Sequence, residues 1–139
     1  MQEKLTALKA VFVAATTAFL VYLQIIAVPL VVLILLMICD YISGIACAFI
    51  THTLCSKTGI KGIVKKLCYL LAVAAAMGVD WVISSVDTGI ENTCAVAVLV
   101  TVWLIINEII SILENLKKTG IPLPKFLYKL IDKIKNNEE

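Results

Sequence analysis

In a chain that is 61% hydrophobic and 16% charged, few side chains can do chemistry, and their spacing is informative. Thr101, Glu108 and Asn115 stand seven residues apart, with Ser111 between the last two. On a helix these positions share one face. Asp40, followed by Ser43 and Gly44, and Asp80 are further acids inside apolar runs, while Glu114 lies close to Lys117 and Lys118 and reads as interfacial. A carboxylate at the centre of a bilayer costs at least about 2.5 kcal/mol on insertion scales. Two kinds of chemistry give it a reason to be there. Either these groups form a buried polar network that fixes helix register and subunit contacts, or the stripe Thr101, Glu108, Ser111, Asn115 lines water once copies assemble. The stripe is one helix face wide, so a single copy cannot enclose a channel, and the second reading requires a homo-oligomer.

Asp40 is ten residues from Ile50 and Glu108 eight from Leu116, about 15 and 12 Å at roughly 1.5 Å per residue. The two acids therefore sit at similar depths and can meet. No lysine is expected at that level to pair with them. Protonation, water, a neighbouring subunit, or hydrogen bonds from Ser43, Asn107 and Ser111 are the means left to satisfy them.

Catalysis finds little support. His52 is the single histidine and has no clustered nucleophile; Ser43, Ser84, Ser85 and Ser111 have no recognisable base near them in sequence. No metal-ligand spacing occurs, so no cofactor is expected. The five cysteines show no CxxC pair and mostly lie in apolar runs, where Cys acts as a small hydrophobe. Every basic residue is Lys, which argues against the bidentate forks of nucleic-acid recognition.

The apolar residues form nearly unbroken blocks that a chain of 139 residues cannot bury in a core of its own. The expected fold class is therefore an all-α integral membrane protein forming a single membrane domain over 1–139. The blocks divide into four transmembrane helices, about 5–28, 29–50, 63–86 and 93–116, each long enough to cross a core of about 30 Å. Gln24 and Pro29 are read as a tight hairpin between the first two; if the first segment lies flat on the membrane surface instead, three crossings remain. A loop carries His52 to Gly62, and Asp87, Gly89, Glu91 and Asn92 make an acidic loop without lysine. Gly120 is a C′ cap and Pro122 and Pro124 stop the fourth helix. A basic amphipathic helix follows at 124–135, with Lys125, Lys129 and Lys133 on its polar side, suited to an anionic leaflet. Lys65, Lys66, Lys117 and Lys118 are expected to join these lysines as membrane-surface contacts. Residues 52–66 and the tail after Leu116 hold ten of the twelve lysines, so the positive-inside rule puts them, and with four crossings both termini, in the cytoplasm.

Taken in order, Asp40 with Ser43-Gly44-Ile45 and Ala48, Lys57 to Leu67, Asp80, Asn107-Glu108 through Ser111 to Asn115, and Gly120-Ile121-Pro122-Leu123-Pro124 resemble the bacteriophage holins of the type shared with clostridial toxin-secretion holins. The resemblance covers about residues 29–135 and says little of residues 1–28. It implies a non-enzymatic protein of the bacterial cytoplasmic membrane that assembles with itself into lesions or pores. An endolysin, or in some relatives a toxin, is the released cargo, and an antiholin is a further partner. From their placement in the apolar runs, Asp40, Ser43, Gly44, Asp80, Thr101, Asn107, Glu108, Ser111 and Asn115 are the candidates for pore lining or subunit contact. The rival readings are an antiholin or other non-conducting regulator, and a small channel or transporter subunit whose acids would be ion sites. Against the latter, no inverted repeat or matched pair of broken helices is evident.

Overall fold

A computed structural model describes residues 2–53, 55–86 and 94–136. The acidic loop expected at 87–92 lies outside them. The described residues form four helices and no strand: α1 (Gln2–Ile50), α2 (Ser56–Ser85), α3 (Ala95–Lys118) and α4 (Lys125–Asn136). Three of these, α1, α2 and α3, are long and apolar enough to cross a membrane. The protein is an all-α membrane protein.

The expected hairpin at Gln24 to Pro29 does not form; α1 runs through Pro29 as one helix of 49 residues. The stretch from Val21 to Leu35 contains no Gly, Asn, Asp or Ser to make a turn. A proline alone removes one backbone donor, and helices in lipid tolerate that loss where packing and local adjustment satisfy the freed carbonyl. The candidate spans accordingly number three rather than four. At about 1.5 Å per residue α1 is about 73 Å long, more than twice a bilayer core.

Helices α1 and α3 both end in left-handed caps, at the same end of the bundle. His52, at φ 56°, closes α1: Thr53 N–H donates to Ala48 O at 2.9 Å and His52 N–H to Phe49 O at 3.3 Å. Gly120, at φ 79°, closes α3 in the same pattern, with Ile121 N–H to Leu116 O and Gly120 N–H to Lys117 O. These are the paired bonds of a Schellman motif. Helix α2 begins at Ser56, seven residues earlier than the expected 63, so Lys57 and Lys61 are helical and the loop shrinks to a few residues.

The three long helices share a seven-residue register. Buried or half-buried positions on α1 include Ile26, Leu30, Leu33, Met37, Asp40, Gly44 and Cys47; on α3 they include Ala97, Thr101, Leu104, Glu108, Ser111 and Asn115. On α2 they include Gly62, Lys66, Tyr69, Val73, Ala76 and Asp80. These positions step by three and four, the spacing of a heptad seam, with further half-buried residues flanking them. Helices α1 and α3 run parallel, because Ile26 packs with Ala97 and Leu33 with Leu104; α2 runs against both, placing Ala76 and Val73 in those same layers. The interior is thus a stack: apolar layers in the middle, a polar layer at each end. The outer faces remain apolar, with Trp81, Leu99 and Trp103 exposed, as a bundle surrounded by lipid requires.

Candidate functional site

The polar layer nearer the lysine-rich end draws one residue from each long helix. Asp40 comes from α1, Lys66 from α2 and Glu108 from α3, at the level where their heptad positions coincide. Lys66 Nζ donates to Asp40 Oδ2 at 2.8 Å and to Glu108 Oε2 at 2.5 Å. Their side chains are 13%, 16% and 1% exposed for Lys66, Asp40 and Glu108. Asn115, two turns beyond Glu108 on the same face, donates from Nδ2 to Asp40 Oδ1 at 3.2 Å and to Ser43 Oγ at 3.0 Å. Ser43 Oγ in turn donates to Asp40 O at 2.9 Å. Gly44 of α1 packs against this amide, where an added Cβ would lie 3.5 Å from Asn115 Nδ2, an ordinary van der Waals contact.

Two expectations are corrected here. Asp40 and Glu108 do have a lysine at their level, and Lys66, expected at the membrane surface, turns inward to pair with both. The reason is the early start of α2: from Ser56, Lys66 falls in the third turn instead of the first. The signal was present in the sequence, since Lys66, Val73 and Asp80 are seven apart and define the buried face of α2.

The other polar layer is built around Asp80, which is fully buried. Its carboxylate accepts the Val96 N–H at 3.0 Å, the Ala97 N–H at 2.8 Å and the Tyr22 hydroxyl at 3.4 Å. The first turn of α3 has no side-chain cap of its own at Cys94, so an acid from α2 caps it, satisfying free donors and matching the helix dipole. Burial first, and then the Asp80 carboxylate, push the Cys94 thiol above its ordinary range, which keeps it a packing group. Thr101 satisfies itself by donating to Ala97 O at 2.6 Å. Asn107 is half-buried one position off the seam.

A cleft of about 580 Å³ opens between the end of α1 and the start of α2, with Asp40, Lys66, Ser111 and Asn115 among its lining. Lys118 stands among its lining too, and is exposed. Among the described side chains, other lysines of this end face outward or pack on rings. Lys65 lies over Tyr69 and Lys117 over Tyr128, each 5.4 Å from the ring centre, and Lys125, Lys129 and Lys133 are exposed on α4.

The arrangement holds charge inside a lipid-facing bundle and presents cations at one end; the described residues include no group of three or more His, Cys, Asp or Glu able to hold a metal ion. Comparison with known proteins fits this picture. A model described as the bacteriophage holin family matches residues 15–136. An uncharacterized protein of Halalkalibacterium halodurans is 35% identical over 107 residues, covering 77% of this chain and 78% of the relative. An uncharacterized protein of Listeria monocytogenes is 39% identical over 100 residues, 72% of this chain and 66% of the relative. An uncharacterized 14.9 kDa protein in the nagH 3′ region of Clostridium perfringens is 32% identical over 111 residues, 80% of each chain. No solved structure matches. With nearly the whole of the three-helix bundle and α4 inside the matched region, this chain belongs to the bacteriophage holin family.

Proposed function

We propose that the protein acts as a holin: copies accumulate in the bacterial cytoplasmic membrane, associate, and open lesions through which an endolysin, or in a toxin-secreting context a toxin, leaves the cell. The observation that carries this reading is the combination, within a family member, of lipid-exposed apolar outer faces with charged and polar groups stored between the helices. A bundle of this kind is inert while its polar seam is closed on itself. Separation of α1 from α3 would bare Asp40, Thr101, Glu108, Ser111 and Asn115 together, on faces that neighbouring copies could join into a water-lined wall. Asn107 and Asp80 border the same faces. The lysine-rich end is the cytoplasmic one by the positive-inside rule, with Lys65, Lys117, Lys118, Lys125, Lys129 and Lys133 at the headgroups. An odd number of crossings then carries the N-terminus to the outer side.

The test is expression of the chain in a bacterium with and without a cytoplasmic endolysin, followed by viability and optical density. A delayed, abrupt loss of viability is expected, with lysis of the culture only when the endolysin is present. Continued growth with the protein in the membrane would point instead to an antiholin or another non-conducting regulator. A graded ion leak without release of endolysin would favour a small channel or transporter subunit.

A further inference from the structure

The cleft at the lysine-rich end is divided as an amphiphile is. Helices α1 and α2 give it apolar walls, among them the exposed side chains of Ile45, Ile60 and Ile63. Lys118, the last residue of α3, stands at its mouth. It runs from the turn at Thr53 and Cys55 down to Asp40 and Lys66. Asp40 lies ten residues before the end of α1 at Ile50, about 15 Å along the helix, which is one leaflet's share of a core about 30 Å thick. Below that layer the packing of Leu33, Val73 and Leu104 closes the bundle. A neighbouring helix that crossed the membrane would need a groove along the whole span, and this one is confined to a single leaflet.

The charges are uneven along the cleft. At its base Asp40 and Glu108 are answered by Lys66, which hydrogen-bonds both, and by Lys65, which lies close enough to feel both. Two acids thus face two ammonium groups. At the mouth Lys118 is exposed and, among the described residues, makes no ion pair, with Glu114 one turn before it included. The start of α2 adjoins the same space through Cys55 and Gly59; its first turn has neither a side-chain cap nor an acid, so the positive end of the helix dipole adds to the lysine. Gly59 and Gly62 stand one turn apart on the cleft side of α2, and a Cβ added at either would meet nothing within 4 Å. Glycine weakens a helix relative to alanine, and no close packing within the chain calls for it at these two positions. Their bareness widens the cleft.

We propose that the cleft binds one anionic phospholipid of the adjoining leaflet, with its phosphate at Lys118 and the upper part of one acyl chain between Ile45 of α1 and Ile60 and Ile63 of α2. The mouth offers a cation to the headgroup and the walls offer apolar surface to the chain. A volume of about 580 Å³ is in the range of small-molecule sites. The lipid bridges α1 and α2, which meet each other far less than each meets α3. The site requires that the bundle cross a membrane and does not depend on the lytic reading.

The test uses the full-length chain in micelles of a zwitterionic detergent, with thermal unfolding followed by circular dichroism as phosphatidylglycerol or phosphatidylcholine with the same acyl chains is added. Phosphatidylglycerol is expected to raise the melting temperature saturably, and phosphatidylcholine to need about tenfold more lipid for the same effect. Lys118→Gln should weaken phosphatidylglycerol about tenfold, as loss of one charge-assisted contact does, and so bring the two lipids together. Gly62→Leu fills the cleft; it should melt no lower than the wild type without lipid, yet lose the response to both. If that variant fails to fold, Lys118→Gln decides alone. Equal stabilisation of the wild type by the two lipids would overturn the site. A preference kept in Lys118→Gln but lost in Lys129→Gln would overturn it too, and would assign the lipid to α4. A Gly62→Leu protein that keeps the lipid response but no longer cross-links to other copies would give the cleft to a second copy instead. No lysis is read, so failure of this experiment and failure of the lysis assay are separate results.

Discussion

Lys66 is the residue on which the interior turns, because its ammonium hydrogen-bonds both acids of its layer. A buried charge pair contributes little net stability, yet removing one partner strands the other in a medium that cannot solvate it. Here removal would strand two carboxylates on facing helices. Lys66→Met is therefore expected to cost about 3–5 kcal/mol, the range for breaking a buried pair, read as a lower unfolding midpoint of the purified protein in micelles. The combination Lys66→Met, Asp40→Asn, Glu108→Gln removes the charges together and should recover most of that loss. A single Lys66→Met protein as stable as wild type would mean that the layer is hydrated well enough to need no counter-ion. In cells the same variant should reach the membrane and shift the onset of lysis, since the seam it loosens is the one that separation of α1 and α3 must break.

At the scale of the elements, stability is concentrated where one helix finishes another. Asp80 belongs to α2 but caps α3, and Tyr22 of α1 completes the group, so a single carboxylate ties three helices together at the end away from the lysines. Asp80→Ala should cost about 0.5–2 kcal/mol, as loss of a helix cap does, and should raise amide exchange in the first turn of α3 before any other segment. Tyr22→Phe, which keeps both backbone bonds, should cost less. Gly120 and the two prolines mark the end of α3 and the start of α4 in the sequence, whereas α2 begins seven residues before the expected 63. The heptad relation of Thr101, Glu108 and Asn115 was legible too. Two things were not. The continuity of α1 hinges on what Pro29 does in a stretch without turn residues, which is decided by packing against α3 rather than by local preference. The inward turn of Lys66 depends on where α2 begins, and Cys55 opens that helix without a side-chain cap, so the heptad spacing of Lys66, Val73 and Asp80 becomes decisive only once that start is known. A basic residue near a predicted helix end defaults to the surface; ten residues into a helix, on the heptad of Val73 and Asp80, it cannot.

For the molecule as a whole, the decisive feature is the mismatch between α1 and its partners. Helix α3 has 24 residues, about 36 Å, close to one bilayer crossing, whereas α1 at about 73 Å extends roughly another bilayer thickness past the Asp80 layer. That extension is apolar, with Leu5, Leu8, Phe12 and Val13 exposed, and it ends in Lys4 and Lys9. Membrane helices absorb excess length by tilting or kinking, and Pro29, the one proline within α1, is the place where bending costs least. The N-terminal side of the chain is then set by whether the extension continues outward or turns back. With α1 as a single crossing and the lysine-rich end on the cytoplasmic side as proposed, the N-terminus would be outside and α4 inside. In a cysteine-free background that retains the lysis phenotype, a cysteine introduced at Thr6 should react with a membrane-impermeant maleimide added to intact cells, and one introduced at Lys133 should react only after the cells are broken. Protection of both positions in intact cells would put both termini in the cytoplasm, and would require α1 to bend back through the bilayer at Pro29. In that arrangement Lys4 and Lys9 would join the other ten lysines on the favoured side, at the expense of the straight helix that now aligns Ile26, Leu33 and Asp40 with α3.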